Sequence, residues 1–298
     1  VITTIDKDAQ EVLNKLEKGE IYEFPNDSMQ EGIAITDMTT GGLSAISGGR
    51  NYGARGTNRA TVKRQPGSTA KILFDYGPYI EYLNGSPASL FLDEETTYTN
   101  GTPIKNADGK YNGLMTMRDA LAASRNIPAL RAFQAVNKEN PDYIKTFVKN
   151  LGIDYGEELY ESAAIGGFDG VSPVQMSAAY AAFGRGGYYI EPYSYTEATI
   201  LDTGKVYKKQ NEKVKVMSEE TAYMITSILM TAADRGVGGV KVSGTDIAAK
   251  SGTTNLDKAT TEKLGIPASA TRDAWNITYS PEYSIALWIG YDINNSEH

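Results

Sequence analysis

The sequence predicts an α+β fold: a central antiparallel sheet of about five strands flanked by helices, with a mostly helical lobe inserted into it. Strand-like runs lie near both ends of the chain, at residues 32–47 and 246–291. Helical periodicity dominates between them, from Ser68 to residue 234. No fixed-period repeat or low-complexity tract competes with that division. If the end strands pair, residues 1–66 and 236–298 form one sheet subdomain and residues 67–235 a mostly helical one.

Residues 6–18 place Ala9, Val12, Leu13 and Leu16 on one helical stripe, which Gly19 ends. Residues 32–37 and 43–47 read as strands joined by a loop with Gly41 and Gly42 at its turn. Residues 49–66, rich in Gly, Arg and Asn, read as a loop that delivers the chain to Ser68. Beyond it, Ile72, Leu73, Tyr76, Tyr79, Ile80 and Leu83 keep a helical spacing, which Gly77-Pro78 is expected to stop or kink. Further helices are predicted at 116–123, 127–137, 141–151, 173–184 and 218–234, with Pro173 and Ser218 at helix starts. Residues 188–208 read as a hairpin turning at Asp202-Thr203-Gly204. A strand over 246–251 precedes a polar, Thr-rich stretch, 254–272, expected to be a long loop or flap. Two final strands, 274–279 and 283–291, flank Ser280-Pro281-Glu282.

Composition removes whole classes of chemistry. A formal net charge of −8 disfavours nucleic acid as a partner, because phosphate binding needs a basic face. The chain has no Cys and a single His, His298 at its very end, so no transition-metal site and no cofactor are expected. A Ser-His-Asp triad would need a positioned imidazole, and a terminal residue is a poor place for one. If serine is the nucleophile, its base is a lysine or a carboxylate. No run of about 18 apolar residues is present to span a bilayer. Val1-Ile2-Thr3-Thr4-Ile5 reads as a strand already under way, so the chain is expected to be a piece of a longer protein, with any anchor outside it.

Three short motifs carry the chemistry. Gly67 supports a sharp turn, and Ser68 then opens a helix whose N-terminal amides favour developing negative charge. Lys71, three residues on, shares the face of Ser68; partly desolvated beside other cations, it favours its neutral form and can take the hydroxyl proton. Alone, Ser68-Thr69-Ala70-Lys71 reads more readily as a helix cap followed by a surface lysine, because serine caps are common. Ser124-Arg125-Asn126 falls between two helical patterns. There the Ser124 hydroxyl can relay a proton from Lys71 to a leaving group, and the Asn126 amide can hold Lys71 and a substrate carbonyl. Lys250-Ser251-Gly252-Thr253 follows a strand. Gly252 admits a ligand close to the backbone, and Lys250 with the Ser251 and Thr253 hydroxyls makes a carboxylate site. The backbone N–H groups of Ser68 and Thr253 make a candidate oxyanion hole.

The three motifs in this order resemble those of penicillin-binding proteins and class A β-lactamases. The likeness to the transpeptidase domain of a bifunctional (class A) penicillin-binding protein extends further. It includes Arg64-Gln65-Pro66-Gly67 before the nucleophile, Gly166-Gly167-Phe168, Gly170-Val171-Ser172-Pro173 and Trp288-Ile289-Gly290-Tyr291. The opening Thr3-Thr4-Ile5-Asp6 is similar to that family's linker into the domain. Ile72 stands where the family usually has Pro, and Ser251 where Thr is commoner; neither change removes a chemical group.

The resemblance implies a D,D-transpeptidase in which Ser68 attacks a D-Ala-D-Ala bond of a peptidoglycan stem peptide and is acylated by β-lactam antibiotics. It also implies a glycosyltransferase domain upstream, a membrane anchor, and work at the extracytoplasmic face of a bacterial cell membrane. A serine β-lactamase, a D,D-carboxypeptidase and a non-catalytic β-lactam-sensing or wall-binding domain are the alternatives. Outside the motifs, Arg125 is open to either a cleft-facing or an ion-paired role, Trp275 and Trp288 read as core, and Asp93-Glu94-Glu95 reads as a solvated face.

Overall fold

The computed structural model describes residues 1–53, 55–237 and 241–293. His298 therefore lies outside the described residues. The chain enters through β1 (Ile2–Thr3) and α1 (Lys7–Glu17), whose Asp6 cap accepts from the Ala9 amide. β2 (Gln30–Asp37) and β3 (Leu43–Ser47) follow as the expected hairpin, with Gly41 at φ +81° in its turn. After the loop to residue 66, with one 3₁₀ turn at Arg59–Thr61, comes the segment that carries Ser68.

That segment is not the plain helix expected. It starts as a 3₁₀ turn, Gly67–Ala70, widens into a π turn, Ile72–Tyr76, and only then becomes α2 (Gly77–Leu83). Pro78 causes neither a stop nor a break. It sits in the first turn of α2, where its missing N–H is not needed, and the Gly77 amide reaches back to the Ile72 carbonyl in π register.

Two small ribbons come next: β4 (Leu90–Asp93) pairs with β7 (Gly113–Thr116), and β5 (Thr96–Thr97) with β6 (Pro103–Ile104). They lead into α3 (Met117–Ala122), α4 (Asn126–Glu139), α5 (Pro141–Asn150) and α6 (Pro173–Gly184). Ser172 and Gln175 cap α6 reciprocally, which contributes about 1 kcal/mol.

The expected hairpin at 188–208 is only half right. β8 (Tyr188–Ile190) ends at Glu191-Pro192, because proline cannot donate to a ladder. β9 (Tyr195–Thr199) and β10 (Val206–Lys208) form the hairpin around residues 200–205, while β8 pairs instead with β11 (Lys213–Lys215). β9 also holds β1, tying residue 2 to residue 197. α7 (Glu219–Asp234) starts at the Ser218 cap.

β12 (Ala248–Asn255), α8 (Lys258–Leu264), β13 (Thr271–Tyr279) and β14 (Tyr283–Gly290) complete the chain. Residues 254–272 are thus not one long loop. Strands encroach from both sides, and Asp257 caps a helix that Gly265, at φ +67°, closes. Threonine's weak helix propensity hid that helix, although its two end signals stand in the sequence.

The main sheet is antiparallel and five-stranded, in the order β12-β13-β14-β2-β3. Strand alternation divides its side chains between two faces. Ile33 and Ala45 pack under Leu13 of α1, whereas Ile277, Ala286, Trp275 and Trp288 join the large core with α6 and α7. The buried Thr36–Ser177 hydroxyl pair, 2.8 Å apart, fixes α6 against β2. β12 is an edge strand, and its free edge faces the turn that carries Ser68.

Candidate active site

Close backbone approach at two glycines sets the site. A Cβ on Gly67, which has φ +54°, would lie 2.4 Å from the Thr253 carbonyl oxygen. A Cβ on Gly252 would lie 2.4 Å from the Pro66 carbonyl oxygen and 2.9 Å from the Thr69 nitrogen. The edge strand therefore meets the nucleophile turn backbone to backbone, which only glycine permits. Trp275 Nε1 donates to the Gln65 carbonyl at 2.9 Å, and the Tyr180 hydroxyl to the Thr69 carbonyl at 2.7 Å, so the turn is anchored on both sides.

Side chains three residues apart eclipse in a 3₁₀ turn, so Ser68 and Lys71 lie on one face. Ser68 is half-buried in the wall of a cleft of about 660 Å³, and Lys71 is fully buried beneath it. Lys71 Nζ donates to the carbonyls of Ser124 (2.6 Å) and Arg125 (3.0 Å) and to Asn126 Oδ1 (2.8 Å). Lys250, also buried, donates to Ser124 Oγ at 2.9 Å and to the Ser251 carbonyl at 2.7 Å. Lys71 lies 3.4 Å from the same hydroxyl. With both lone pairs of Ser124 Oγ facing lysine nitrogens, its own hydrogen is left to point into the cleft that Ser124 lines.

Burial, reinforced by the charge of Lys250, holds Lys71 well below the ordinary lysine range, against an opposing pull from Asp75. Burial alone brings Lys250 down to about 7. Both amines therefore give up a proton more readily than an exposed lysine does.

Ser124 itself adopts φ +55°, the left-handed conformation that ends α3. Glycine would hold that conformation at a cost lower by about 1 kcal/mol. The turn is kept in place from below. Arg125 is buried and donates through Nε to Asp93 (2.9 Å), through Nη1 to both oxygens of Asp108 (3.0 Å each), and through Nη2 to the Lys110 carbonyl. Asn106 donates to Asp93 at 2.7 Å and accepts from the Asn126 amide, also at 2.7 Å. Asn126 Nδ2 donates to the Lys105 carbonyl at 2.8 Å.

Asp93 is thus fully buried, and the solvated face expected for 93–95 is wrong at its first residue. Its β4 position carries it under the α3–α4 turn, where Arg125 neutralises it. Arg125 takes the ion-paired of the two roles left open for it, and both tryptophans are core.

The structure brings Ser68, Ser124, Asn126, Ser251, Gly252 and Thr253 to one cleft, with Lys71 and Lys250 in its floor. Asn106, Lys105 and Asp93 were not foreseen, because their role comes from a turn formed by distant segments; no local spacing signals it. Ser162, Gly166 and Gly167 also line the cleft, and Gly166, at φ +90°, lies against the Gly67 backbone.

Residues 32–294 match the family described as the penicillin binding protein transpeptidase domain. The chain belongs to this family, as the transpeptidase domain of a class A penicillin-binding protein. It is 41% identical to penicillin-binding protein 1A/1B of Bacillus subtilis, over 99% of the chain and 32% of that protein. It is 33% identical to penicillin-binding protein 1A of Streptococcus pneumoniae, over 98% of the chain and 42% of that protein. The chain thus spans less than half the length of these curated relatives. Among solved structures, the penicillin-binding protein PonA1 of Mycobacterium tuberculosis superposes with a TM-score of 0.83 at 22% identity, over 98% of this chain and 76% of the solved chain. PonA1 has also been solved in complex with penicillin V, and there the TM-score is 0.82. No helix among the described residues is long and apolar enough to cross a membrane.

Proposed function

We propose that this domain is a serine D,D-transpeptidase that cross-links peptidoglycan stem peptides through an acyl-enzyme on Ser68. The observation that carries the reading is the convergence of two buried lysines on one hydroxyl, Ser124 Oγ, at 2.9 and 3.4 Å, in the cleft that Ser68 lines.

Ser68 Oγ attacks the carbonyl carbon of the D-Ala-D-Ala bond and gives its proton to Lys71 Nζ. The oxyanion accepts from the backbone N–H groups of Ser68 and Thr253. Lys250, with the Ser251 and Thr253 hydroxyls, holds the terminal carboxylate, and Asn126 holds Lys71 and the substrate amide. The Ser124 hydroxyl protonates the leaving nitrogen and recovers a proton from Lys71. D-Alanine departs, leaving an ester on Ser68. An amine from a neighbouring stem then attacks the ester, its proton returns through the same groups, and the cross-link forms. A β-lactam carries a carboxylate and a reactive amide in a similar relation, so it acylates Ser68 and leaves a slowly hydrolysed ester.

The reaction calls for no cofactor. In the full-length protein, the partners are peptidoglycan strands, an upstream glycosyltransferase domain and a membrane anchor that keeps this domain at the extracytoplasmic face. The sheet portion, 1–66 and 236–298, and the helical portion, 67–235, supply opposite walls of the cleft.

Intact-mass spectrometry after treatment with benzylpenicillin, followed by peptide mapping, tests the assignment. One persistent adduct on the peptide containing Ser68, lost in Ser68→Ala, is expected. An adduct on another residue would overturn the role of Ser68. Rapid loss of the adduct with product accumulation would replace a transpeptidase by a β-lactamase.

A further inference from the structure

We propose that the groove beside the cleft, walled by Lys63, Arg64 and Arg272, binds a carboxylate of the acyl-donor stem peptide upstream of the scissile bond, with Arg272 as its principal hydrogen-bond donor. This inference rests on Ser68 being the residue that such a peptide acylates.

Three observations carry it. The first is continuity. A groove of about 750 Å³ shares Gln65, Ser162 and Gly167 with the cleft that Ser68 lines. The terminal carboxylate of a donor is assigned to Lys250, Ser251 and Thr253, so the acyl portion has to leave Ser68 in another direction. Beyond Thr253 the cleft wall continues through Thr254 and Asn255. At about 3.3–3.6 Å per extended residue, the two or three residues before the scissile bond reach on the order of 10 Å, enough to pass from one cavity into its neighbour.

The second is charge. The chain has 37 acidic against 29 basic residues, yet this groove is lined by Lys63, Arg64 and Arg272 against Asp169 alone. The other groove that opens at Ser162 carries Glu161 and no cation. An anionic substituent is drawn to the first and repelled from the second.

The third is the backbone at Arg272. Thr254 of β12 pairs with Asp273, but Asn255 pairs with Thr271, so Arg272 is the extra residue of a β-bulge in β13. Bulges re-aim a side chain and are common beside active sites. The Arg272 side chain makes no hydrogen bond among the described residues, and its one carboxylate neighbour, Asp273, lies 3.8 Å from Nε. Asp273 is already engaged by Thr254 at 2.7 Å and by Trp288 at 2.9 Å. The guanidinium therefore keeps its fork of donors for a planar anion.

Lys63 and Arg64 shape the wall and add positive field. Lys63 is tied to Asp154 at 3.0 Å. Arg64 stacks on Trp288, 4.6 Å from the ring centroid, and lies 3.6 Å from Asp292. Its backbone exchanges hydrogen bonds with Val171 at 3.0 and 2.9 Å, so this wall is in place before a ligand arrives.

The test follows thiol release from two thioester donors by the wild type, Arg272→Gln and Arg272→Lys. Both donors carry a γ-D-glutamyl-L-lysyl-D-alanyl acyl group, one with the glutamate α-carboxylate free and the other with its carboxamide. Ser68 Oγ forms the ester, the carbon–sulfur bond breaks, and the thiol leaves with the hydroxyl proton. The wild type is expected to favour the carboxylate donor about tenfold in kcat/KM, the lower end for a hydrogen bond to a charged group, and less so at high salt. Arg272→Gln should abolish the preference while the carboxamide donor loses little, and Arg272→Lys should keep part of it. No preference in the wild type, or one that survives Arg272→Gln, overturns the proposal.

Benzylpenicillin separates the subsite from the reaction it serves. It has no second carboxylate, so its acylation of Ser68 should lose little in Arg272→Gln, which also reports an intact fold. A loss there as large as for the carboxylate donor would overturn the subsite. Normal labelling of Ser68 without a carboxylate preference discards the subsite and leaves the transpeptidase standing. An adduct elsewhere than Ser68 removes the reaction itself, and the proposal with it.

Discussion

Arg125 and Lys71 are neighbouring buried cations with opposite surroundings. Arg125 meets carboxylates on two sides, Asp93 at 2.9 Å and Asp108 at 3.0 Å. Lys71 meets two backbone carbonyls and an amide oxygen. The first arrangement holds a charge in place and fixes a turn. The second satisfies donors without giving the charge a bonded partner, so the proton stays transferable. Structure and reactivity are thus assigned to different cations within one small region of the fold.

The largest effect that would break this comparison is on Lys71. Lys71→Ala is expected to slow acylation by about 10²–10⁴-fold with folding intact, measured by stopped-flow with a chromogenic cephalosporin. A rate near normal would put Lys71 in the same structural class as Arg125. The reverse change comes next. Arg125→Ala leaves Asp93 buried without its cation, so it should cost about 3–5 kcal/mol of stability in denaturant melts. It should also reduce acylation, because Ser124 and Asn126 ride on that turn. Stability within about 1 kcal/mol of the wild type, close to the scatter of a surface change, would contradict the structural reading.

Lys250→Ala sharpens the comparison on the substrate side. It should lower acylation efficiency by about ten- to a hundredfold for ligands with a free carboxylate, the worth of one charged hydrogen bond. Their esters should lose less, and equal losses would exclude a carboxylate contact. In the wild type, Lys250 titrates at about 7, so capture of a carboxylate should weaken as pH rises through that value in the unliganded enzyme.

The smallest effect concerns Glu31, remote from the cleft. The Ser47 hydroxyl faces Glu17 at 2.5 Å and Glu31 at 2.8 Å, but has one hydrogen to give. Burial pushes Glu31 up to about 7 from 4.5. Folded protein therefore holds this proton after the unfolded chain has released it. The associated stability is full below pH 4.5 and is lost as pH rises through about 7. Glu31→Gln should raise the melting point above pH 7, by about 1–2 kcal/mol in stability, and leave it unchanged below pH 4.5. No gain above pH 7 would mean that Glu31 is ionised in the fold.

Much of the sheet and most helices were legible in the sequence, because period-2 and period-3.6 runs with Ser, Pro and Gly punctuation are local signals. The short helix α8 was missed because Thr260 and Thr261 stand at its centre, and threonine alone argues against a helix. The π turn was missed because nothing in Ile72–Tyr76 differs from an ordinary helix until Pro78 demands room. The motif residues could be named because each sits in a short word whose residue types limit its chemistry. Asp93 and Asn106 could not, since a carboxylate or amide reads as solvated until the fold buries it.

The close approach of the edge strand to the nucleophile turn at Gly67 and Gly252 has a lasting consequence for how the domain can adapt. Neither Gly67 nor Gly252 can gain a side chain without prising the edge strand away from the nucleophile. Two walls of the cleft are thereby frozen in shape. Tolerance for bulkier ligands has to be tuned at the rim, where Lys105, Ala107, Thr254 and Asn255 look onto the opening.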